Sequence, residues 1–381
     1  MRVLHVCGIY LPATEWGGPT YAVANYAEAL QTAGVECEVF TTTARGDRNL
    51  PPLEPGTRDV RGVRVTYFPA APVHQSFIAP AMATALARRV REFDLVHTHM
   101  LWAFPGIAAS RIAHLRGVPY VVTPHGSLDP WSLEQRKWMK RAFLLASENA
   151  TLRRAALVHY TATAERDAVP PRLRHLPSVI VPNVIEPSDL PRGPRSRDIV
   201  ILGRIHVMKG FDILIPAMRA VLAKRDARLV IAGPDEGGYR AEVERMIAEA
   251  GIGAAVTFTG HIDLEARTKL LSTCSLLVQP SYRENFGMAV AEAMAQGVPV
   301  VVSDRVNICD DIAATGAGLV VPRDVTQLAD AIVRVLDDPR TMGEAGRRLV
   351  RERYAPDVVG PAMRAAYDQA ARTTPKRTAS Q

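Results

Sequence analysis

Two glutamates with seven residues between them, Glu284 and Glu292, flank the Phe286-Gly287 pair in the stretch SYRENFGMAVAEAMAQGVPV, residues 281–300. Carboxylates accept hydrogen bonds from hydroxyl pairs. A helix beginning at Gly287 and Met288 would turn free backbone N–H groups toward a phosphate lying across its end. Glu292 projects from a helix made otherwise of Ala, Val and Met, where burying a carboxylate is costly unless something pairs with it. A ribose diol would pair it; facing water beside Gln296 is the alternative, and the residues leave both open.

Cations come in a second stretch, GRIHVMKGFDILIPA, residues 203–217. Arg204 follows a strand and Lys209 precedes a helix, so together they can neutralise a diphosphate, one as a planar fork and the other as a point charge. Idle cations at a helix N-terminus are unfavourable, which argues against simple surface charge. A third stretch, ATEWGGPTYAVANYAEAL at 13–30, sets Gly17 and Gly18 before a helix. Paired glycines permit close backbone approach to a phosphate, yet the spacing is not GxGxxG and also fits a plain strand-to-helix turn. In VVTPHGSLDPW, 121–131, His125 and Gly126 end a strand, where a histidine serves either as a structural hydrogen-bonder or in chemistry. Finally, PWSLEQRKWMKRAFLLASENATLRR interleaves Arg136, Lys137, Lys140, Arg141, Arg153 and Arg154 with Trp131, Trp138, Met139, Phe143 and Leu144. Such a basic, aromatic helix over 131–154 can lie on an anionic membrane or pack on its own domain.

The elements that must hold these residues alternate along the whole chain. Strands are predicted at Arg2–Cys7, Glu36–Thr41, Val63–Phe68, Leu95–His97, Tyr120–Thr123 and Leu157–Tyr160, with helices such as Tyr21–Ala33 and Pro80–Glu92 between them. The Pro-, Arg- and Ser-rich run VPNVIEPSDLPRGPRSRD, 181–198, interrupts the pattern and reads as a linker. Alternation then resumes through IVILGRI, ARLVIAG, AVTFTG, LLVQPS, VPVVVSD and AGLVV, with helices at Gly210–Lys224, Tyr239–Ala250 and Met288–Ala295. This predicts an α/β chain with two Rossmann-like domains facing across a cleft, ligands lying at the C-terminal ends of the strands. The expected divisions are 1–185, a linker at 186–198, a second domain at 199–360, and a closing helix and polar tail at 361–381.

A length of 381 residues suits two domains, and 48% hydrophobic with 22% charged residues is the balance of a globular protein. No apolar run reaches the length of a membrane span, and the first residues lack the features of a signal peptide, so a cytoplasmic location is expected. Cys7, Cys37, Cys274 and Cys309 are scattered without a CxxC pair, which predicts buried thiols rather than zinc or disulfides. A formal charge of +7 invites anionic partners without choosing among them.

Gly17-Gly18, His125-Gly126, Gly203-Arg204 with Lys209-Gly210, and Glu284 through Glu292, taken in that order, resemble glycosyltransferase family 4, the GT-B-fold retaining glycosyltransferases that use nucleotide sugars. The likeness spans nearly the whole chain. It implies a transferase moving a hexose from a UDP- or GDP-sugar to a hydroxyl of a glycan, lipid-linked or other acceptor, in polysaccharide or glycoconjugate biosynthesis. It further implies that Arg204 and Lys209 hold the diphosphate, Glu292 the ribose and Glu284 the transferred sugar, helped by amides of Phe286, Gly287 and Met288 beside Asn285. Gly17 and Gly18 would close on the diphosphate from the other domain, Gly126 and His125 would lie near the sugar, and Gly260, His261 and Ile262 would meet the base. Departures from the pattern are Asn285 where glycine is usual, Met288 where leucine is usual, and NICDDI in place of a glutamate-bearing loop. No cofactor or metal is expected, because the cations suffice and no DxD pair stands in a suitable setting. A sugar-nucleotide epimerase and a non-catalytic polyanion binder are the rival readings. Nucleic acid is not an expected partner, since no reading module is present. A basic helix near Trp138 extends the expected location to the inner face of the plasma membrane.

Overall fold

The computed structural model describes residues 1–45, 50–71, 77–134, 138, 148–339 and 341–373. The chain divides into two compact units, Met1–Val184 with Pro356–Gln381, and Ile185–Ala355. The first contains strands β1 Arg2–Val6, β2 Glu36–Thr42, β3 Gly56–Val60, β4 Val63–Phe68, β5 Leu95–His99, β6 Tyr120–Thr123, β7 Leu157–Tyr160 and β8 Ser178–Ile180. Its helices are α1 Gly18–Thr32, α2 Pro80–Arg89, α3 Phe104–Arg116, α4 Pro130–Glu134, α5 Asn149–Arg154 and α6 Thr163–Ala168. The strands form one sheet in the order β3-β4-β2-β1-β5-β6-β7-β8, parallel except where β3 meets β4.

Both faces of this sheet are covered, which is why its strands read as continuous β-branched runs rather than alternating ones. Val3, Val39, Leu95, Val121 and Leu157 point to one side, against α1. Leu4, Val6, Val96, Val122 and Val158 point to the other, against Met82 and Leu86 of α2 and Ala109 and Ala113 of α3.

The second unit carries β9 Asp198–Leu202, β10 Arg228–Ala232, β11 Val256–Gly260, β12 Leu276–Gln279, β13 Val300–Ser303 and β14 Gly318–Val321, in the all-parallel order β11-β10-β9-β12-β13-β14. Helices α7 Phe211–Leu222, α8 Tyr239–Ala250, α9 Leu264–Thr273, α10 Met288–Ala295, α11 Cys309–Thr315, α12 Val325–Asp337 and α13 Met342–Leu349 wrap it. Val290, Ala291 and Met294 of α10 pack on one face; Leu214 and Met218 of α7 with Leu328 and Ile332 of α12 pack on the other.

Differences from the sequence reading have physical causes. The run 186–198 belongs to the second unit, where its basic and polar residues reach backbone carbonyls: Arg192 donates to Cys274 O and Gly297 O, Arg195 to Ser275 O, and Gly193 N–H to Ser272 O. The final helix, α14 Pro356–Thr373, begins inside the expected second domain, yet the chain returns with it to the first unit. Val359, Met363, Ala366, Tyr367 and Ala370 recur at helical spacing and are buried in the same cluster as α1 and the sheet. Among the described residues, no helix is long and apolar enough to cross a membrane. The basic stretch centred on Trp138 falls mostly outside the described residues. Cys7, Cys37 and Cys274 are buried and Cys309 is partly exposed; all four are free thiols.

Candidate active site

In the second unit, the predicted cations Arg204 and Lys209 follow the C-terminal end of β9, and the predicted carboxylates Glu284 and Glu292 lie in the loop and helix that follow β12. Lys209 stands on a short turn of 3-10 helix, Val207–Lys209, and Gly210 follows it in the left-handed conformation as the N-cap of α7. A side chain at Gly210 would place its Cβ 2.2 Å from Pro280 O, so only glycine lets the β9 loop pass this close to the β12 loop. That approach brings Lys209 Nζ to 2.5 Å from Glu284 Oε1. The same oxygen lies 3.2 Å from Ser281 Oγ and 3.3 Å from Gln279 Nε2, two donors that sequence reasoning did not single out. Glu284 is further fixed by its backbone, which takes up a parallel bridge with Val306.

Gly287 is the N-cap of α10 at φ +90°, a conformation that costs a side-chain-bearing residue energy, and the amides that follow open the helix. Phe286 is buried in the core, with Ile262 and Met288 packed against the same cluster, while Asn285 sits in the loop between Glu284 and Phe286. Arg204, just past β9, reaches sideways to Glu236 beyond β10, at 2.5 Å. Gly260 ends β11, and His261 and Ile262 follow it toward α9.

Glu292 has an ionic partner within the second unit. Its carboxylate lies 3.1 Å from the Arg267 guanidinium of α9, both side chains being about one-fifth exposed. Burial pushes the Glu292 carboxyl above its ordinary value and Arg267 opposes that shift. Arg267 was not foreseen, because a single arginine in an amphipathic helix carries no local signal of its partner.

In the first unit, Gly17 (φ +75°) caps α1 and Gly18 is its first residue, directly after β1 and its following loop. His125 and Gly126 follow β6, so the pairs lie at the same end of the sheet. His125 adopts φ +48°, an uncommon conformation for a residue with a side chain and one that concentrates at functional sites. The turn is held by buried Glu165 of α6: Oε1 accepts from Gly126 N–H at 2.7 Å, and Oε2 accepts from the Thr161 N–H at 2.7 Å and hydroxyl at 2.8 Å.

Beneath His125 the sheet carries four more histidines, none of which the sequence reading singled out: His5 on β1, His97 and His99 on β5, and His159 on β7. All are buried, and all face the helices α1 and α14. One line of hydrogen bonds among them has a fixed direction. Val181 O can only accept, so His159 carries its proton on Nε2 and donates at 2.7 Å. His159 Nδ1 therefore accepts the Thr123 hydroxyl at 2.8 Å, the Thr123 oxygen accepts from His97 Nε2 at 2.6 Å, and His97 Nδ1 accepts the Tyr367 hydroxyl of α14 at 2.6 Å. A second line joins His125 Nε2 to His99 Nδ1 at 3.2 Å, and His99 Nε2 to His5 Nδ1 at 3.0 Å. Burial disfavours the charged rings, taking His5 and His125 down to about 3 and His159 to about 4, and holding His97 and His99 well below the ordinary value. Nitrogens of His5, His97 and His99 lie within 4.8 Å of one another, a spacing that fits a metal, but five of the six already have hydrogen-bond partners.

Residues 186–351 match the family model described as Glycosyl transferases group 1, and residues 17–183 match that of the Glycosyl transferase 4-like domain. A 2-deoxystreptamine glucosyltransferase of Streptomyces kanamyceticus is 30% identical over 354 residues, covering 83% of this chain and 89% of that protein. A D-inositol 3-phosphate glycosyltransferase of Acidothermus cellulolyticus is 28% identical, covering 88% of this chain and 82% of that one. Among solved structures, Anabaena Alr3699/HepE in complex with UDP and glucose superposes with a TM-score of 0.73 at 18% identity, over 97% of this chain and 99% of that chain. The sucrose-phosphate synthase of Thermosynechococcus elongatus gives 0.71 at 24%, over 97% and 98%. With both units matched in order and a relative aligned over most of its length, this chain belongs to the group 1, family 4-like glycosyltransferases of GT-B fold.

Proposed function

We propose that the protein transfers a hexose from a UDP-sugar to a hydroxyl of a cyclitol or aminocyclitol, with retention at the anomeric carbon. The observation that carries the donor side is the Lys209–Glu284 pair set beside the opening turn of α10. A cation, a carboxylate and the N-terminal end of a helix at adjoining strand ends suit a sugar diphosphate, with charge for its phosphates and an acceptor for its sugar hydroxyls. In this reading Lys209, Arg204 and the amides of Gly287 and Met288 stabilise the negative charge that grows on the leaving diphosphate. Glu284 orients the sugar through its hydroxyls, Glu292 takes the ribose diol once Arg267 yields one of its contacts, and the Gly260-His261-Ile262 turn meets the base. Within the first unit, this reading gives Gly17 and Gly18 a phosphate-binding role and His125 and Gly126 a sugar-binding one.

The bond from the anomeric carbon to the diphosphate oxygen breaks as the bond to the acceptor oxygen forms on the same face. The acceptor proton passes to the departing diphosphate. Cationic side chains supply the charge stabilisation, so the proposal requires no metal.

Support for the acceptor comes from the names of the relatives, since 2-deoxystreptamine and inositol are both hydroxylated six-membered carbocycles. UDP is the nucleotide in the Anabaena Alr3699/HepE complexes. The test is an assay of UDP- and GDP-sugars against inositol, inositol 3-phosphate, 2-deoxystreptamine and a lipid-linked oligosaccharide, with and without EDTA, the product's anomeric configuration being read by NMR. UDP-dependent, EDTA-resistant formation of an α-linked cyclitol from an α-linked donor is expected. Transfer only to the lipid-linked acceptor, or an inverted product, would overturn the proposal.

A further inference from the structure

The reaction proposed above uses His125 but gives no task to the line of imidazoles behind it. His5, His99 and His125 have nearly parallel rings, at 12° and 26°, with centroids 5.3 and 5.5 Å apart. Those separations suit rings joined edge to edge by N–H···N bonds, and the nitrogens do meet at 3.0 and 3.2 Å. A neutral imidazole donates from one nitrogen and accepts at the other, so the line has only two proton orders. In one, His5 Nδ1–H donates to His99 Nε2, and His99 Nδ1–H donates to His125 Nε2. In the other, both protons run in the opposite direction.

The buried end discriminates between the two orders. His5 Nε2 is buried and has no hydrogen-bond partner. The second order would leave an N–H there without an acceptor, whereas the first leaves a bare lone pair. Orphaned N–H groups are the rarer defect in folded proteins, and an unsatisfied buried donor costs about 1–3 kcal/mol. The first order therefore prevails, and it puts the proton of His125 on Nδ1. From the other side, the carboxylate of Glu165 holds the backbone of the same turn at Gly126. Ring and main chain are thus fixed independently.

We infer that His99, backed by His5, is a positioning residue for His125: it donates to Nε2 and so makes Nδ1–H the group that His125 presents to its ligand. The tautomer follows from the hydrogen-bond line alone; its value for turnover rests on the transferase reading, in which His125 contacts the transferred sugar. A histidine holding its proton on Nδ1 is a fixed donor to a sugar oxygen, and reversal of the line would turn that donor into a lone pair.

The test uses the full chain with 15N-labelled histidine. Long-range 15N–1H spectra report which nitrogen of each neutral ring is protonated, and a His125→Ala variant identifies the His125 signals. Wild type is expected to show Nδ1–H at His125. His99→Phe keeps an aromatic ring, somewhat larger than imidazole, but removes the donor; it should move His125 toward Nε2–H and lower kcat on the order of tenfold, with donor KM little changed. In His99→Asn the amide occupies the place of Nδ1, so the Nδ1–H tautomer of His125 and most of kcat should return. A merely structural His99 predicts the reverse order, because Asn leaves a cavity and Phe does not. Nε2–H at His125 in wild type, an unchanged tautomer and kcat in folded His99→Phe, or Phe outperforming Asn would each overturn the inference. The spectra need no substrate, so a protein inactive with every nucleotide sugar but showing Nδ1–H at His125 would refute the transferase reading and leave the tautomer assignment standing.

Discussion

The two units finish their strands in opposite ways. Below the strand ends of the first, neutral imidazoles are joined to one another, to hydroxyls and to a carbonyl, all out of contact with water. At those of the second, whole charges are parked in pairs: Lys209 with Glu284, Arg204 with Glu236, Arg267 with Glu292. A line of neutral rings cannot answer a diphosphate with charge, but it fixes direction, since each proton settles the next. Ion pairs fix little about direction, yet they keep charge available until a stronger partner arrives. One fold type thus carries directed hydrogen bonds in one sheet and paired charges at the strand ends of the other.

The largest effect that would sharpen this contrast lies in the second unit. Lys209→Met or Glu284→Gln should lower kcat on the order of 10²–10³-fold, as loss of a preorganised charge at a transition state does, while the fold survives. Turnover assays paired with circular dichroism check this, and a fully active variant of either residue would remove it from the site.

Acid should strike the first unit. With folded-state values of about 3 for His5 and His125 and about 4 for His159, against an ordinary 6.5, the unfolded chain takes up protons that the folded unit refuses. Stability is therefore flat above pH 6.5 and falls as pH drops toward 4, by about 2 kcal/mol per imidazole at pH 5. Hydrogen exchange should show β1, β5 and β7 opening first on acidification; earlier opening of β9 and β12 would contradict the contrast.

Smaller changes separate the units further. Tyr367→Phe removes the hydroxyl that His97 Nδ1 accepts at 2.6 Å, and should cost the first unit about 1–3 kcal/mol in denaturant unfolding. Arg267→Met takes the partner from Glu292, whose carboxyl then rises further above its ordinary value, and donor KM should climb several-fold as the pH is lowered. Arg204→Ala breaks only an exposed pair with Glu236, so free-protein stability should shift by less than about 0.5 kcal/mol even as nucleotide binding weakens. Thermal shifts with and without UDP measure both.

Most of this architecture was legible because doubly covered parallel strands leave long β-branched runs, and VVTPH, IVILG and VVVSD stand out for that reason. β3 was not legible: GTRDV is an exposed antiparallel edge strand, too polar to resemble the others. The strand reading stopped at His97, whereas β5 runs on to His99, because a histidine in a strand looks like its end rather than part of a polar row. Alternation in HTH at 97–99 was the available clue to two rings on one face. The pairs Lys209–Glu284 and Arg267–Glu292 differ in the same way. The first joins residues already marked by loops and glycines, and the second joins a marked residue to one arginine of an ordinary helix. The return of α14 to the first unit left no trace in the sequence beyond its apolar stripe, since a stripe shows that a helix is buried and not against what.

That return constrains how the molecule can be made. Synthesis runs from the N-terminus, so the ribosome releases β1 to β8 and then the entire second unit before Met363 and Tyr367 emerge. Until then the nascent first unit lacks the helix that shields its sheet and the hydroxyl that anchors His97. Completion of the first half therefore waits on translation of the last helix, and a nascent chain stalled before residue 356 should remain protease-sensitive in β1 and β5 although every residue of those strands has long been exposed to solvent.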